Sequence, residues 1–355
     1  MHENLKKTKR WLRSGAAACL SGLLLFSALT GTAQAAPAGA ALSSARELVP
    51  VGHTIGIKLF ARGVVVVGLM KGSTPAGKGG LEKGDVILKC GGETVTSTEQ
   101  FQARLQSSGG AAIPLRIRRG GSVKNLSVVP EQNGSGAYVI GAWIRDSMAG
   151  IGSMTFYDPA SGVFGALGHG INDTDTAVLM PFSSGSILPS KVKAVKKGVS
   201  GAAGELRGDF DLTRSLGELY ANTAGGIFGT MEENDLTENL GPAIPVAENT
   251  EVKTGAARIL CNVAGDQVRE YDVEITRLYA GGSDFRDLLV RVTDPELIAL
   301  TGGIVQGMSG APIVQNGKLV GAVTHVLLND PTRGYGILIR NMLECGDAQA
   351  EENAS

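Results

Sequence analysis

The chain has little cysteine, few aromatic side chains, few histidines and no surplus of charge. Four cysteines occur in 355 residues. Cys19 lies within an apolar run near the start, and the odd, widely spaced set Cys90, Cys261 and Cys345 gives neither a disulfide framework nor a zinc pattern, which leaves buried thiols. Lys and Arg number 33 against 34 Asp and Glu, so no long-range field draws nucleic acid or acidic lipid to the surface. The apolar run 16–29 is shorter than the roughly 20 residues that a spanning helix needs.

That run has another use. Lys6, Lys7, Lys9, Arg10 and Arg13 precede it, and Thr32-Ala33-Gln34-Ala35 follows with small residues suited to signal peptidase. Residues 1–35 are therefore expected to be an export signal, with an uncleaved anchor as the alternative. Residues 36–50, rich in Ala and Ser, read as a linker.

Glycine is abundant, at 51 residues, and it punctuates many short Val- and Ile-rich runs. This pattern predicts a mainly β protein with tight turns, and the length suits two domains. Residues 51–131 form the first unit: strands at 56–60, 63–69 and 85–90, a helix beginning at Ser97 or Thr98 and stopping at Gly109-Gly110, then strands at 113–118 and 124–129. The string Gly80-Leu81-Glu82-Lys83-Gly84-Asp85-Val86-Ile87-Leu88, followed by Gly92 and Val95, resembles a PDZ domain. That resemblance implies a peptide added to a sheet edge, its carboxylate held by backbone N–H groups of a glycine loop, and the matching loop is Ile55-Gly56-Ile57. The alternative is a PDZ-like unit that only docks on its neighbour. Gln132-Asn133-Gly134-Ser135-Gly136 reads as a hinge. Residues 137–346 follow as a second, all-β domain, a pair of barrels or a large sandwich, and 347–355 as a polar tail.

The sharpest chemical feature is Gly307-Met308-Ser309-Gly310-Ala311-Pro312. Glycines on either side of a serine allow a turn that exposes the hydroxyl while the Gly307 and Ser309 N–H groups converge as an oxyanion hole. An ordinary hydroxyl needs a base, and the chain holds only His2, His53, His169 and His325. His2 lies in the leader and His53 at the start of the PDZ-like unit. His325 ends a strand near Ser309. His169 closes Phe164-Gly165-Ala166-Leu167-Gly168-His169, whose small residues would admit a close neighbour, and is the favoured base. For a group orienting the imidazole, Asp294 is a candidate. It precedes Pro295 and a helical stretch, so capping that helix is its other possible task. Asp173, Asp175 and Asp330 are rivals.

The stretch Gly302-Gly303-Ile304-Val305-Gln306-Gly307-Met308-Ser309-Gly310, together with Val320-Gly321-Ala322-Val323-Thr324-His325-Val326, resembles the SpoIVB peptidase family. So do Ile144-Arg145-Asp146-Ser147, Ala149-Gly150-Ile151-Gly152, Gly165-Ala166-Leu167-Gly168-His169 and Asn329-Asp330-Pro331. The resemblance implies a PDZ domain ahead of a chymotrypsin-like double β-barrel, and a serine endopeptidase with the triad His169, Asp294 and Ser309. Asp294 lies unusually close to the serine for such an enzyme, and Ala311 stands where glycine or serine is common. The family implies a sporulation role: cleavage of itself and of a membrane-bound regulator, between the forespore and mother-cell membranes, permitting late sigma-factor activation. Such acyl transfer requires no metal or organic cofactor. A non-enzymatic exported PDZ adaptor is the rival reading, and contact between His169 and Ser309 discriminates the two.

Overall fold

The computed structural model describes residues 46–279 and 284–354. The leader, and the linker as far as residue 45, lie outside them. Among the described residues no helix is long and apolar enough to cross a membrane.

Two closed barrels form the frame. The first takes strands Thr54–Leu69, Ala142–Tyr157, Val163–Ala166, Phe182–Lys196, Gly217–Thr223 and Gly226–Thr230. Each pairs antiparallel with its neighbour, and the first strand meets both Ala142–Tyr157 and Phe182–Lys196, which closes the ring. The second barrel runs Gly255–Cys261, Arg269–Leu278, Leu288–Val292, Asp330–Leu338, Lys318–Leu327 and Pro312–Gln315. Alternating Val, Ile and Leu fill each interior, as a half-buried strand requires. Ile259, Val290, Ile313 and Val323 are among the residues of the second core.

The PDZ unit is inserted into the first barrel, which changes the boundary expected from the sequence. Thr54–Leu69 and Ala142–Tyr157 are each 16 residues long and run through both bodies. Residues 54–60 pair with 147–153 in the barrel, and 65–69 pair with 142–145 in the PDZ unit, with the register broken between Phe60 and Val65. Val86–Cys90, Ile113–Arg119 and Ser122–Val128 extend the sheet on the other side. The helix Thr98–Ser107 is capped by Ser97, whose hydroxyl accepts from Gln100 N, and it buries Phe101 and Leu105. A Gly-rich apolar strand looks the same whether it stays in one body or crosses into another, so periodicity could not separate residues 51–61 from the PDZ unit.

Three further expectations change. Within the presumed linker, Glu47–Pro50 is a strand pairing with Ile244 and Pro245 on one side and Phe156 and Tyr157 on the other. Buried Leu48 anchors it. The presumed hinge is a tight turn between Glu131–Gln132 and Tyr138–Val139, closed by Asn133 Oδ1 accepting from Ser135 N and Ala137 N. The polar tail continues the helix Ile339–Ala354, whose buried Met342 and Leu343 share a cluster with Phe156, Phe228 and Ile337.

Ile55 tests the boundary. It is fully buried and packs in the first-barrel core with Met154, Ile187 and Ile227. Ile55→Ala is expected to cost about 2–5 kcal/mol in denaturant unfolding. A cost near zero would place residue 55 in an open loop instead.

Candidate active site

The Ser309 turn is clamped between the barrels. Gly310 has φ +94°, and a Cβ there would meet Ser153 O at 2.0 Å and Leu167 N at 2.5 Å, so only glycine lets the turn lie against the first barrel. Ser153 N donates to Ser309 O at 2.8 Å, Ser153 Oγ to Gly307 O at 2.9 Å, and Thr155 Oγ1 to Gly310 O at 2.9 Å. Both hydroxyl residues are fully buried. From the other side Leu206 N donates to Gln306 O at 2.8 Å, and within the turn Ala311 N donates to Met308 O at 2.9 Å.

These bonds fix the peptide planes. Because a trans peptide points its N–H away from its C=O, anchoring the Gln306 and Met308 carbonyls sets the direction of the Gly307 and Ser309 N–H groups. Among the described residues neither N–H meets an acceptor, although Gly307 is buried and Ser309 half-buried. Buried N–H groups are rarely left without an acceptor. Two adjoining a serine form a site for a developing oxyanion.

His169 reaches the same place from the first barrel. After strand Val163–Ala166 the chain turns through Leu167 at φ 70° and Gly168 at φ 67°. A leucine with positive φ is strained, a condition that clusters at functional sites. A Cβ on Gly168 would sit 3.0 Å from Thr324 Cγ2 and Ile337 Cγ2, so glycine does admit the second barrel here. His169 Nδ1 lies 2.9 Å from Gly170 O. A carbonyl can only accept, so Nδ1 carries the proton and Nε2 keeps its lone pair.

A cavity of about 480 Å³ contains His169, Gly307, Ser309, Thr324 and His325 in its wall. The His169 and His325 ring centroids are 4.9 Å apart, with the planes tilted by 37°. Among the described residues no Asp or Glu lines the cavity. Burial pushes the His169 imidazole below its ordinary value, against the opposing effect of the Gly170 carbonyl. His325 is pushed down to about 4, by lost hydration first and then by the neighbouring His169 and Arg286, against the opposing charge of Asp284. Ser309 Oγ donates to Thr324 O at 2.7 Å, so its proton is held by the second barrel in the free protein.

The structure thus gathers His169, Ser309, Gly307 and His325, and it does not bring Asp294 to them. Asp294 caps Pro295–Thr301: Oδ1 accepts from Glu296 N at 2.9 Å and Leu297 N at 3.0 Å. Its place before proline makes it a cap, and its carboxylate is occupied. The rival acids are also occupied. Asp173 and Asp175 pair with Arg145, and Asp330 holds Thr332 and Arg333. His53 Nδ1 bonds Thr54 O, away from the cavity.

The proposed carboxylate loop is corrected too. Ile55, Gly56 and Ile57 are strand residues paired on both sides, Gly56 opposite Ile151 and opposite Leu188, which leaves no edge for a peptide. The strand beside helix Thr98–Ser107 is instead 142–146. Thr98 N donates to Asp146 Oδ2 at 2.7 Å, and Gln102 and Gln106 donate to Tyr138 O at 2.9 Å each. Residues 142–145 pair with Thr54–Leu69 on one side only among the described residues. Ile140 and Gly141, the latter at φ 69°, precede this edge. Their N–H groups meet no acceptor outside the strand ladders among the described residues.

Ser153, Thr155 and the 142–146 edge escaped sequence reasoning. The available signal was a pair of hydroxyl residues two apart on the buried face of an apolar strand, where a hydroxyl must find a partner.

The fold is a chymotrypsin-like pair of barrels with a serine and a histidine at their seam and a PDZ unit set into the first. Comparison with known proteins agrees with that class. The family described as SpoIVB peptidase S55 matches residues 136–343 and the PDZ domain matches residues 65–119. The chain belongs to the SpoIVB peptidase S55 family. Among curated proteins it is similar to the magnetosome formation protease MamE of Magnetospirillum gryphiswaldense, 33% identical over 117 residues, which is 32% of this chain and 14% of that protein. A Clostridium perfringens protein named as a zinc metalloprotease is 36% identical over 69 residues, 19% of this chain and 21% of its own length. The chain thus spans between about a seventh and a fifth of these two relatives. Among solved structures, the HtrA-type protease AlgW with a tripeptide overlaps 58% of this chain and 57% of its own, at 15% identity and a TM-score of 0.35.

The position of Asp294 gives a direct test. Asp294→Ala should lower stability by about 1 kcal/mol through the lost cap, and Asp294→Ser should restore most of it. Reaction of Ser309 with a serine-directed fluorophosphonate should proceed at the wild-type rate in Asp294→Ser. A collapse of labelling in that stable variant would return Asp294 to the mechanism.

Proposed function

We propose that the chain is a serine endopeptidase in which Ser309 is the nucleophile and His169 the general base. The observation that carries this reading is the pair of N–H groups at Gly307 and Ser309, without acceptors among the described residues, beside a histidine whose Nδ1 is already engaged. As the Ser309 hydroxyl leaves Thr324 O and turns to His169, Nε2 takes its proton while Oγ attacks a peptide carbonyl. The imidazolium then protonates the leaving amine, and water resolves the acyl-enzyme by the same route. Each oxyanion donor in such sites contributes about 3–4 kcal/mol. The Gly170 carbonyl fixes the tautomer, a task for which many triads use a carboxylate. Without a carboxylate the ring bears its transient charge less easily, which suits slow, selective cleavage.

Membership of the family supports a role in sporulation signalling: cleavage of the chain itself and of a membrane-bound regulatory protein, in the space between forespore and mother-cell membranes, leading to late sigma-factor activation. The segment before residue 46, between the leader and the first strand, is the proposed site of self-cleavage. The PDZ unit takes an extended peptide on the open edge at 142–146, its carboxylate at the Ile140 and Gly141 N–H groups, in the manner of strand addition. That edge belongs to the strand carrying Ser153 and Thr155, so a bound peptide and the nucleophile turn share one rigid element.

The chain from residue 36 onward and its Ser309→Ala variant, incubated in parallel, should differ. New termini by mass spectrometry and fluorophosphonate labelling are expected in the wild type alone. A wild type that is folded, unlabelled and uncleaved, even with peptides offered to the PDZ edge, would favour the adaptor.

The pH dependence follows from the lowered His169 value. The base must be neutral, so protonation stops the reaction. With the folded value below the ordinary imidazole value of about 6.5, labelling should persist below that pH before its acid limb falls. An acid limb at or above the ordinary value would overturn the assignment of a buried base.

A further inference from the structure

The loop that carries His169 is held at its neck by one side chain. Met180 N donates to Ile171 O at 2.9 Å, which brings the two feet of the loop together. Asn222, buried near the end of strand Gly217–Thr223, spans both. Its Oδ1 accepts from Ile171 N at 2.8 Å, and its Nδ2 donates to Ile171 O and to Met180 O at 3.0 Å each. One amide thus engages both polar groups of Ile171, the residue after Gly170. The neighbouring backbone is equally close: a Cβ on Gly170 would meet Thr223 O at 2.5 Å.

We infer that Asn222 is a positioning residue for the reaction, which fixes the Gly170 carbonyl through the backbone of Ile171 and so sets the tautomer and direction of His169. The inference rests on His169 being the base. The chain of contacts runs from the Asn222 amide to Ile171, along one peptide to the Gly170 carbonyl, and from there to His169 Nδ1. Only a carboxamide satisfies this geometry, because it must accept from one backbone group and donate to two. A carboxylate of the same size would present like partial charges to the Ile171 and Met180 carbonyls, and an aliphatic residue would leave Ile171 N and Met180 O without their partner. With no acid among the described residues of the cavity wall, the tautomer depends on this carbonyl, and an imidazole in the wrong tautomer presents a proton to the nucleophile instead of a lone pair.

The test uses the full chain labelled with 15N-histidine, its His169 resonances assigned by comparison with His169→Gln. Wild type should show one neutral tautomer at His169, protonated at Nδ1. Asn222→Ala should show mixed tautomers and labelling by a fluorophosphonate slowed by about tenfold or more, in keeping with the loss of a tautomer-fixing partner. Asn222→Asp keeps the volume and the acceptor for Ile171 N, so it decides the matter if the alanine variant does not fold, and the same two changes are expected. A folded variant that melts lower yet keeps the wild-type tautomer and labelling rate would make Asn222 structural alone and overturn the inference. A wild type that shows the fixed tautomer, released in the variants, but is never labelled would leave the Asn222 clamp standing and remove the peptidase reading instead.

Discussion

The seating of the serine turn depends on three hydrogen bonds from one strand. Ser153 and Thr155, alternate residues on the buried face of Ala142–Tyr157, give two hydroxyls and one N–H to the carbonyls of Gly307, Ser309 and Gly310. A serine between glycines has no conformation of its own to enforce, since glycine gives freedom and not direction. The first barrel supplies the direction. Those three carbonyls seat the turn on the first barrel, while the Gln306 and Met308 carbonyls, which accept from Leu206 N and Ala311 N, set the planes of the Gly307 and Ser309 N–H groups, left without acceptors among the described residues. Buried hydroxyls in an apolar strand are costly unless bonded, so the same pairings that shape the turn also make the two barrels one body.

The strand doing this work is also the open edge of the PDZ unit. Its first residues lie beside helix Thr98–Ser107 and its last face the nucleophile turn. Insertion of the PDZ unit between two barrel strands, rather than ahead of the barrel, is what creates the continuity. A tethered domain would communicate by docking. A domain that shares two strands of 16 residues each is coupled through the pleat of the sheet itself.

The electrostatics are those of a neutral site. Its two histidines are close and both are pushed toward the uncharged form; among the described residues no carboxylate lines their cavity, and Asp284 acts on His325 only as a more distant charge. A triad with an acid gains an imidazolium stabilised by a full negative charge. Here the partner of Nδ1 is a carbonyl, which orients the ring and offers only a dipole. The nearby acids serve the scaffold: Asp173 and Asp175 tie Arg145 to the loop after His169, and Asp294 starts a helix.

The sequence by itself determined the β class, the PDZ helix with its Ser97 cap, the glycine corner around Ser309 and the small residues before His169, because each is written in local pattern: strand alternation, capping chemistry, positive-φ glycines. It also offered both readings of Asp294, cap and triad member, and could not choose, since an acid before proline has the same appearance in either role. Only the tertiary structure decided that Asp294 is the cap, that Ile55, Gly56 and Ile57 belong to a barrel, that Ser153 and Thr155 bond the Ser309 turn, and that Asn222 bonds Ile171 and Met180. Those assignments rest on pairs such as Ser153 with Gly307, or Asn222 with Ile171, far apart in the chain. Hydrogen bonds of that kind leave no trace in spacing or composition, because a strand keeps the same residues whichever neighbour it finds.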